Sequence, residues 1–197
     1  MTVAYSLGRQ TARLCFNTFG RLDVTGQEPV PPHGPLIVVS NHLSFTDPPL
    51  LVAGIPRPLH FISKRPWFSG PLAKYTMGQL HVSPFDRSSS RVDAVRTVLG
   101  LLDRDQAVVV FPEGHRSPDH TLKEGMLGVV YIAMKSQAPI LPVGLTGTEK
   151  LRAWHMPVPL CRLSVNIGQP FTPPIIEGRP SRAVSYTHLT LPTKRIV

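Results

Sequence analysis

A histidine and an aspartate stand five positions apart in Ser40-Asn41-His42-Leu43-Ser44-Phe45-Thr46-Asp47-Pro48-Pro49, directly after the apolar run Leu36-Ile37-Val38-Val39. The end of such a strand is where open α/β sheets place their ligands. Asp47 followed by Pro48 reads as a helix N-cap with proline at the first helical position, so the chain is expected to turn from strand into helix here. On that turn Asp47 could accept a hydrogen bond from one imidazole nitrogen of His42 and so fix the tautomer. The other nitrogen would be free to take a proton from a substrate hydroxyl, and the carboxylate would stabilise the imidazolium that forms. The same spacing also fits a carboxylate that only caps the helix, beside a histidine that is no more than a polar loop residue. Spacing alone leaves both readings open.

A second polar stretch, Phe111-Pro112-Glu113-Gly114-His115-Arg116-Ser117, again ends an apolar run. Gly114 lets the backbone approach a ligand closely, Arg116 can grip a phosphate with two hydrogen bonds, and Ser117 can add a neutral donor. Glu113 beside a phosphate binder must be held by cations or receive hydroxyl hydrogens, which suits a polyol phosphate better than bare phosphate. Taken alone, the segment fits equally a turn carrying a surface Glu-Arg pair. A third stretch, Gly78 to Arg87, offers Arg87 as a partner for Arg116 on the same phosphate. A fourth, Pro139-Ile140-Leu141-Pro142-Val143-Gly144, carries an embedded proline and reads as a packing wall or an edge feature.

These residues need elements to hold them. Short apolar runs alternate with helical patterns, which predicts an α/β fold with a largely parallel central sheet covered by helices. The expected strands are Leu36–Val39, Leu59–Ile62, Gln79–Val82, Ala107–Phe111, Ile140–Leu145 and Leu163–Ile167. Val92, Val95, Val98, Leu99 and Leu102 mark one helix face, and Met126, Leu127, Val130, Tyr131 and Met134 another. An N-terminal amphipathic helix over about Ala4 to Phe19 carries Leu7, Leu14, Cys15 and Phe19 with Arg9 and Arg13. It could lie in a bilayer interface or pack on the domain's own core. A rigid Pro/Gly linker follows, so residues 1–34 are read as helix and linker and 35–183 as the working domain. Residues 184–197 show no sustained helical period and are read as a non-native tail.

The chain has 197 residues, 42% of them hydrophobic, enough for one domain with a sizeable core. No run approaches the roughly 18 apolar residues of a membrane span. The start, MTVAYSLGRQTARLCF, lacks a long apolar core and a small-residue cleavage site, so secretion is not expected. The two cysteines, Cys15 and Cys161, make neither a disulfide framework nor a metal quartet, which fits a reducing compartment. Lys and Arg number 21 against 12 Asp and Glu, a net +9 of which Lys194 and Arg195 in the tail supply two charges. Such an excess points to anionic partners. An aromatic content of 7% and no dense Lys/Arg run count against nucleic acid and favour anionic lipid or phosphate.

Together the four stretches resemble the glycerolipid acyltransferase family, the group that includes lysophosphatidic acid acyltransferases. The likeness rests on the H-x4-D box NHLSFTDPP, on PFDR, on FPEGHRS and on PILPVG, in this order, and on Lys123 and Gly125 in LKEG; it runs from about Pro35 to Gly168. His115 stands where relatives usually carry threonine, and HVSPFDR replaces a more aliphatic strand entry. The resemblance implies His42 as general base, Asp47 as its orienting partner, and Arg87 with Glu113, Gly114, Arg116 and Ser117 as the binder of the acceptor's glycerol phosphate. It further implies acyl transfer from acyl-CoA or acyl carrier protein to the free hydroxyl of a lysophospholipid, 1-acylglycerol 3-phosphate first. No cofactor or metal is expected. With the charge, it implies peripheral attachment to an anionic membrane on its cytoplasmic face. The alternatives are glycerol 3-phosphate or another lysolipid as acceptor, or a non-catalytic phospholipid-binding module. His33, His60, His81, His120 and His155 lack a comparable partner pattern and read as structural or solvated.

Overall fold

The computed structural model describes residues 2–64, 70–85, 91–114, 127–151 and 161–172. Its elements, in chain order, are α1 (Val3–Gly20), β1 (Leu22–Thr25), β2 (Leu36–Ser40), α2 (Asp47–Gly54), β3 (Leu59–Lys64), α3 (Pro71–Gln79) and β4 (Val82–Phe85). There follow α4 (Arg91–Leu102), β5 (Ala107–Val110), α5 (Leu127–Ser136), β6 (Ile140–Thr146) and β7 (Leu163–Ile167). The strands form one sheet in the order β1-β7-β6-β2-β5-β3-β4. Neighbours run parallel except β6 and β7, which are antiparallel. The expected largely parallel sheet with covering helices is therefore present.

The alternation of side chains along β2 explains the two layers that cover the sheet. Leu36 and Val38 face Phe16 of α1 and Leu50 and Leu51 of α2. Ile37 and Val39 face the opposite way, onto Val98 and Leu102 of α4 and Val129, Ile132 and Ala133 of α5. All five residues of β2 are buried, as a central strand covered on both faces requires.

Two expectations are corrected, and two open ones are decided. The sheet begins before residue 35: β1 pairs in parallel with β7, Leu22 against Leu163 through Thr25 against Asn166, so the boundary at 34/35 cuts through the sheet. At four residues and half exposed, β1 has too short an apolar pattern to stand out in sequence. The strand expected at Gln79–Val82 lies at Val82–Phe85, because α3 extends through Gln79. There Leu80 N–H donates to Thr76 O, His81 N–H donates to Gly78 O, and His81 takes φ +58° before pairing starts. The helix α1 buries Tyr5 and Phe16, whereas Val3, Leu7, Leu14 and Phe19 point outward. It thus packs on the core with one side and presents a second apolar side. Finally, Pro142 is buried in an interior strand, so of the two readings it is the packing wall and not the edge feature. Its C=O accepts from Gly168 N–H, past the last β6–β7 rung at Val143 and Ile167, so its missing N–H falls where that ladder has ended.

At the amino end of the strands, Arg57 is buried and ties the proline-rich linker down. Its guanidinium donates to the carbonyls of Pro31 at 2.7 Å, His33 at 3.3 Å and Gly34 at 2.7 Å, and to Asp105 O at 3.4 Å. The segment 184–197 lies outside the described residues.

Candidate functional site

The parallel pairing of β2 with β5, Val39 beside Val110, sends both chains out of the sheet at the same end. There His42 lies on the turn after β2 and Phe111 to Gly114 lie on the turn after β5. These are the carboxyl ends of neighbouring strands, the crevice where this architecture binds ligands.

Asp47 is the first residue of α2, with Thr46 in the cap position and no side-chain cap bond. The expectation that Asp47 caps its own helix is corrected. Its carboxylate instead reaches back over the loop, where one oxygen, Oδ2, accepts three hydrogen bonds. They come from His42 Nδ1 at 2.8 Å, Leu43 N–H at 2.7 Å and Ser44 N–H at 2.7 Å. Asp47 is fully buried and the His42 side chain is 19% exposed. A carboxylate can only accept, so Nδ1 carries a proton, and in the neutral ring the lone pair is on Nε2. Nε2 has no hydrogen-bond partner among the described residues. The imidazole also lies on the Phe111 ring, centroids 4.1 Å apart and planes at 18°. Its position is thus set from two sides.

Glu113 is buried, and Gly114 takes φ +69° in a turn closed by its N–H on Phe111 O at 3.0 Å. The structure brings Glu113 and Gly114 to the same sheet end as His42 and Asp47. Arg87, His115, Arg116 and Ser117 lie outside the described residues, as do Lys123, Gly125, His120 and His155. Among the described residues no group of three or more His, Cys, Asp or Glu could hold a metal.

Sequence reasoning missed three supports of the loop. The Asn41 side chain, fully buried, donates from Nδ2 to Leu145 O at 2.9 Å and accepts from Leu145 N–H at 2.8 Å. Ser44 Oγ donates to Leu151 O at 3.2 Å. Gly147, at φ +91°, lets the chain pass so close to Arg162 O that a Cβ would collide with it. The resulting turn leads through Thr148–Lys150 to Leu151. A polar residue at the end of an apolar strand was the visible signal for Asn41; its partner lies 104 positions away.

A second histidine group sits at the opposite, amino end of the sheet. His81 stacks on Tyr5 at 4.6 Å, and His60 meets His81 edge-on at 4.5 Å. Burial, with a smaller contribution from His81, pushes the His60 pKa down to about 4. Burial and then the positive amino terminus lower that of His81. Burial raises that of Tyr5, whose hydroxyl accepts from Leu59 N–H at 2.8 Å. No carboxylate takes part in these contacts.

The profile of the Acyltransferase family matches residues 21–146. The chain belongs to the acyltransferase family. Among its relatives in that family, a chloroplastic 1-acyl-sn-glycerol-3-phosphate acyltransferase of Brassica napus is 34% identical over 143 residues, which cover 71% of this chain and 41% of that protein. The 1-acyl-sn-glycerol-3-phosphate acyltransferase of Bacillus subtilis is 26% identical over 145 residues, 73% of this chain and 71% of that one. The chain thus spans about two fifths of the length of the chloroplast relative. In fold, the chain resembles the crystal structure of the 1-acyl-sn-glycerophosphate (LPA) acyltransferase PlsC from Thermotoga maritima. The TM-score is 0.76 at 23% identity, over 97% of this chain and 78% of that one.

Proposed function

We propose that the protein transfers an acyl group from a thioester, acyl-CoA or acyl carrier protein, to the free hydroxyl of 1-acylglycerol 3-phosphate, giving phosphatidate. The observation that carries this reading is a single Asp47 oxygen holding His42 Nδ1 and two loop amides at once, with Nε2 left as the basic nitrogen. The names of the relatives support the acceptor. Nε2 removes the hydroxyl proton as the oxygen attacks the thioester carbon. Asp47 stabilises the imidazolium. The tetrahedral intermediate collapses with a C–O bond formed and the C–S bond broken, and the imidazolium returns its proton to the departing thiolate. No acyl-enzyme is required. Arg87, Arg116 and Ser117 are assigned to the glycerol phosphate, Gly114 to close backbone approach, and Glu113 to the polyol side of the same group.

The acceptor lies in a membrane, and we place the protein on the cytoplasmic face as a peripheral component. Among the described residues no helix is long and apolar enough to cross a bilayer. The outward Val3, Leu7 and Leu14 of α1 lie beside exposed Arg13. The start of α1 joins the end of α3 through Thr2 Oγ1 donating to Gln79 O at 2.7 Å, and α3 exposes Leu72, Tyr75 and Lys74. Apolar side chains interleaved with cations suit an anionic interface. Flotation with anionic vesicles at low salt should carry the protein up, and high salt should release it; no flotation at low salt defeats peripheral attachment.

Thiol release from acyl-CoA or acyl carrier protein, with 1-acylglycerol 3-phosphate, glycerol 3-phosphate and other lysolipids as acceptors, tests the reaction. His42→Ala should lower kcat by at least about a hundredfold while the protein stays folded. Binding of lysophosphatidate without thiol release would instead identify a non-catalytic lipid-binding module.

A further inference from the structure

β2 must leave the sheet early, because the chain needs the residues after Ser40 to build the His42–Asp47 loop. The last β2–β6 pair is Ser40 against Val143, so the backbone ladder stops one residue before Asn41. From there the side chain of Asn41 takes over. Its amide spans both backbone groups of Leu145, Nδ2 to the carbonyl at 2.9 Å and Oδ1 from the N–H at 2.8 Å, all fully buried. A carboxamide is the neutral group that reproduces the donor and acceptor of a peptide unit. Asn41 therefore continues the sheet by side chain at the position where its backbone turns away.

The consequence concerns the next residue. His42 is otherwise held by Asp47 from α2 and by Phe111 from the turn after β5. Neither fixes the loop against β6, on the other flank of β2. We infer that Asn41 is a positioning residue for the reaction: its two-point grip on Leu145 sets the height at which the His42 imidazole stands above the sheet end. This rests on the reading of His42 as the base. The grip acts through geometry, so its loss should appear in turnover and leave acceptor binding largely alone. Misplacement of a reacting group by about 1 Å costs up to about a hundredfold in rate.

The experiment compares Asn41→Ala, His42→Ala and the double variant in thiol release, with thermal unfolding confirming the folded state. Asn41→Ala should lower kcat roughly 10- to 100-fold with KM for the lysolipid within about threefold of wild type. In the double variant it should add almost nothing to the His42→Ala loss, because both changes act on one group. Should Asn41→Ala not fold, Asn41→Asp serves. Its protonated carboxyl reproduces the donor and acceptor of the amide, so its kcat relative to wild type should rise as pH falls. A wild-type kcat in Asn41→Ala, a loss confined to KM, fully additive losses, or an Asn41→Asp ratio that stays low at every pH would each overturn the inference while leaving the base in place. An inactive wild-type protein, or an active His42→Ala, would overturn the reading of the base and the inference with it.

Discussion

The two ends of the sheet each hold a histidine against an aromatic ring, and they do opposite things with it. At the carboxyl end, His42 lies on Phe111 and its Nδ1 donates to a buried carboxylate. At the amino end, His81 lies on Tyr5 with His60 against its edge, and neither ring meets a carboxylate in those contacts. In the first place the imidazolium has a counter-charge waiting for it. In the second it would face another histidine and the positive amino terminus. Burial with no anion beside the ring lowers the pKa, as at His60 and His81, whereas a carboxylate buried with the ring offers an imidazolium its counter-charge.

The largest effect that would break this contrast is at the carboxyl end. Asp47→Asn keeps the shape, and the Leu43 and Ser44 N–H groups hold its amide oxygen where it still accepts from Nδ1–H, but the negative charge that stabilises the imidazolium is lost. Steady-state thiol release should fall by at least about a hundredfold, and an unchanged kcat would remove Asp47 from the mechanism. Next comes the amino end, where Arg57→Ala strips four carbonyls of their charged donor. Urea unfolding should show a loss of about 3 kcal/mol, with kcat of the surviving folded protein close to wild type.

Smaller is the pH dependence of the amino end. The folded His60 pKa, about 4, lies below the ordinary 6.5, so the unfolded chain binds more protons between these values. Stability should therefore be full above about pH 6.5, fall as pH drops toward 4, and change no further from this group below that. His60→Phe should flatten the fall in urea midpoint between pH 7 and pH 5; an identical slope in both proteins would deny His60 that role. The smallest effect is Phe111→Leu. It removes a stacking contact of about 1 kcal/mol and should cost kcat several-fold, whereas an unaltered kcat would leave the ring as mere filling.

What the residues revealed in advance followed from how local each signal is. The apolar runs of β2, β5, β6 and β7 and the face of α4 were legible because a central strand or a covering helix must repeat its pattern within a few residues. His42 and Asp47 were legible because their partner lies within one turn. β1 was not, being four residues long, half exposed and ordered by pairing with a strand about 140 positions later. The stripe Leu7, Leu14 and Phe19 of α1 was legible but not the side it takes, since Tyr5 and Phe16 supply the buried side and periodicity cannot say which of two apolar sides faces the core. Asn41, Phe111 and Gly147 matter through partners that only the fold brings near.

The most direct test of the whole account is the protonation pattern of the His42 imidazole, read from ¹⁵N–¹H spectra of histidine-labelled protein at neutral or mildly alkaline pH and assigned against His42→Ala. The account predicts a proton on Nδ1 engaged with Asp47 and an unprotonated Nε2. A neutral ring with its proton on Nε2 would contradict it.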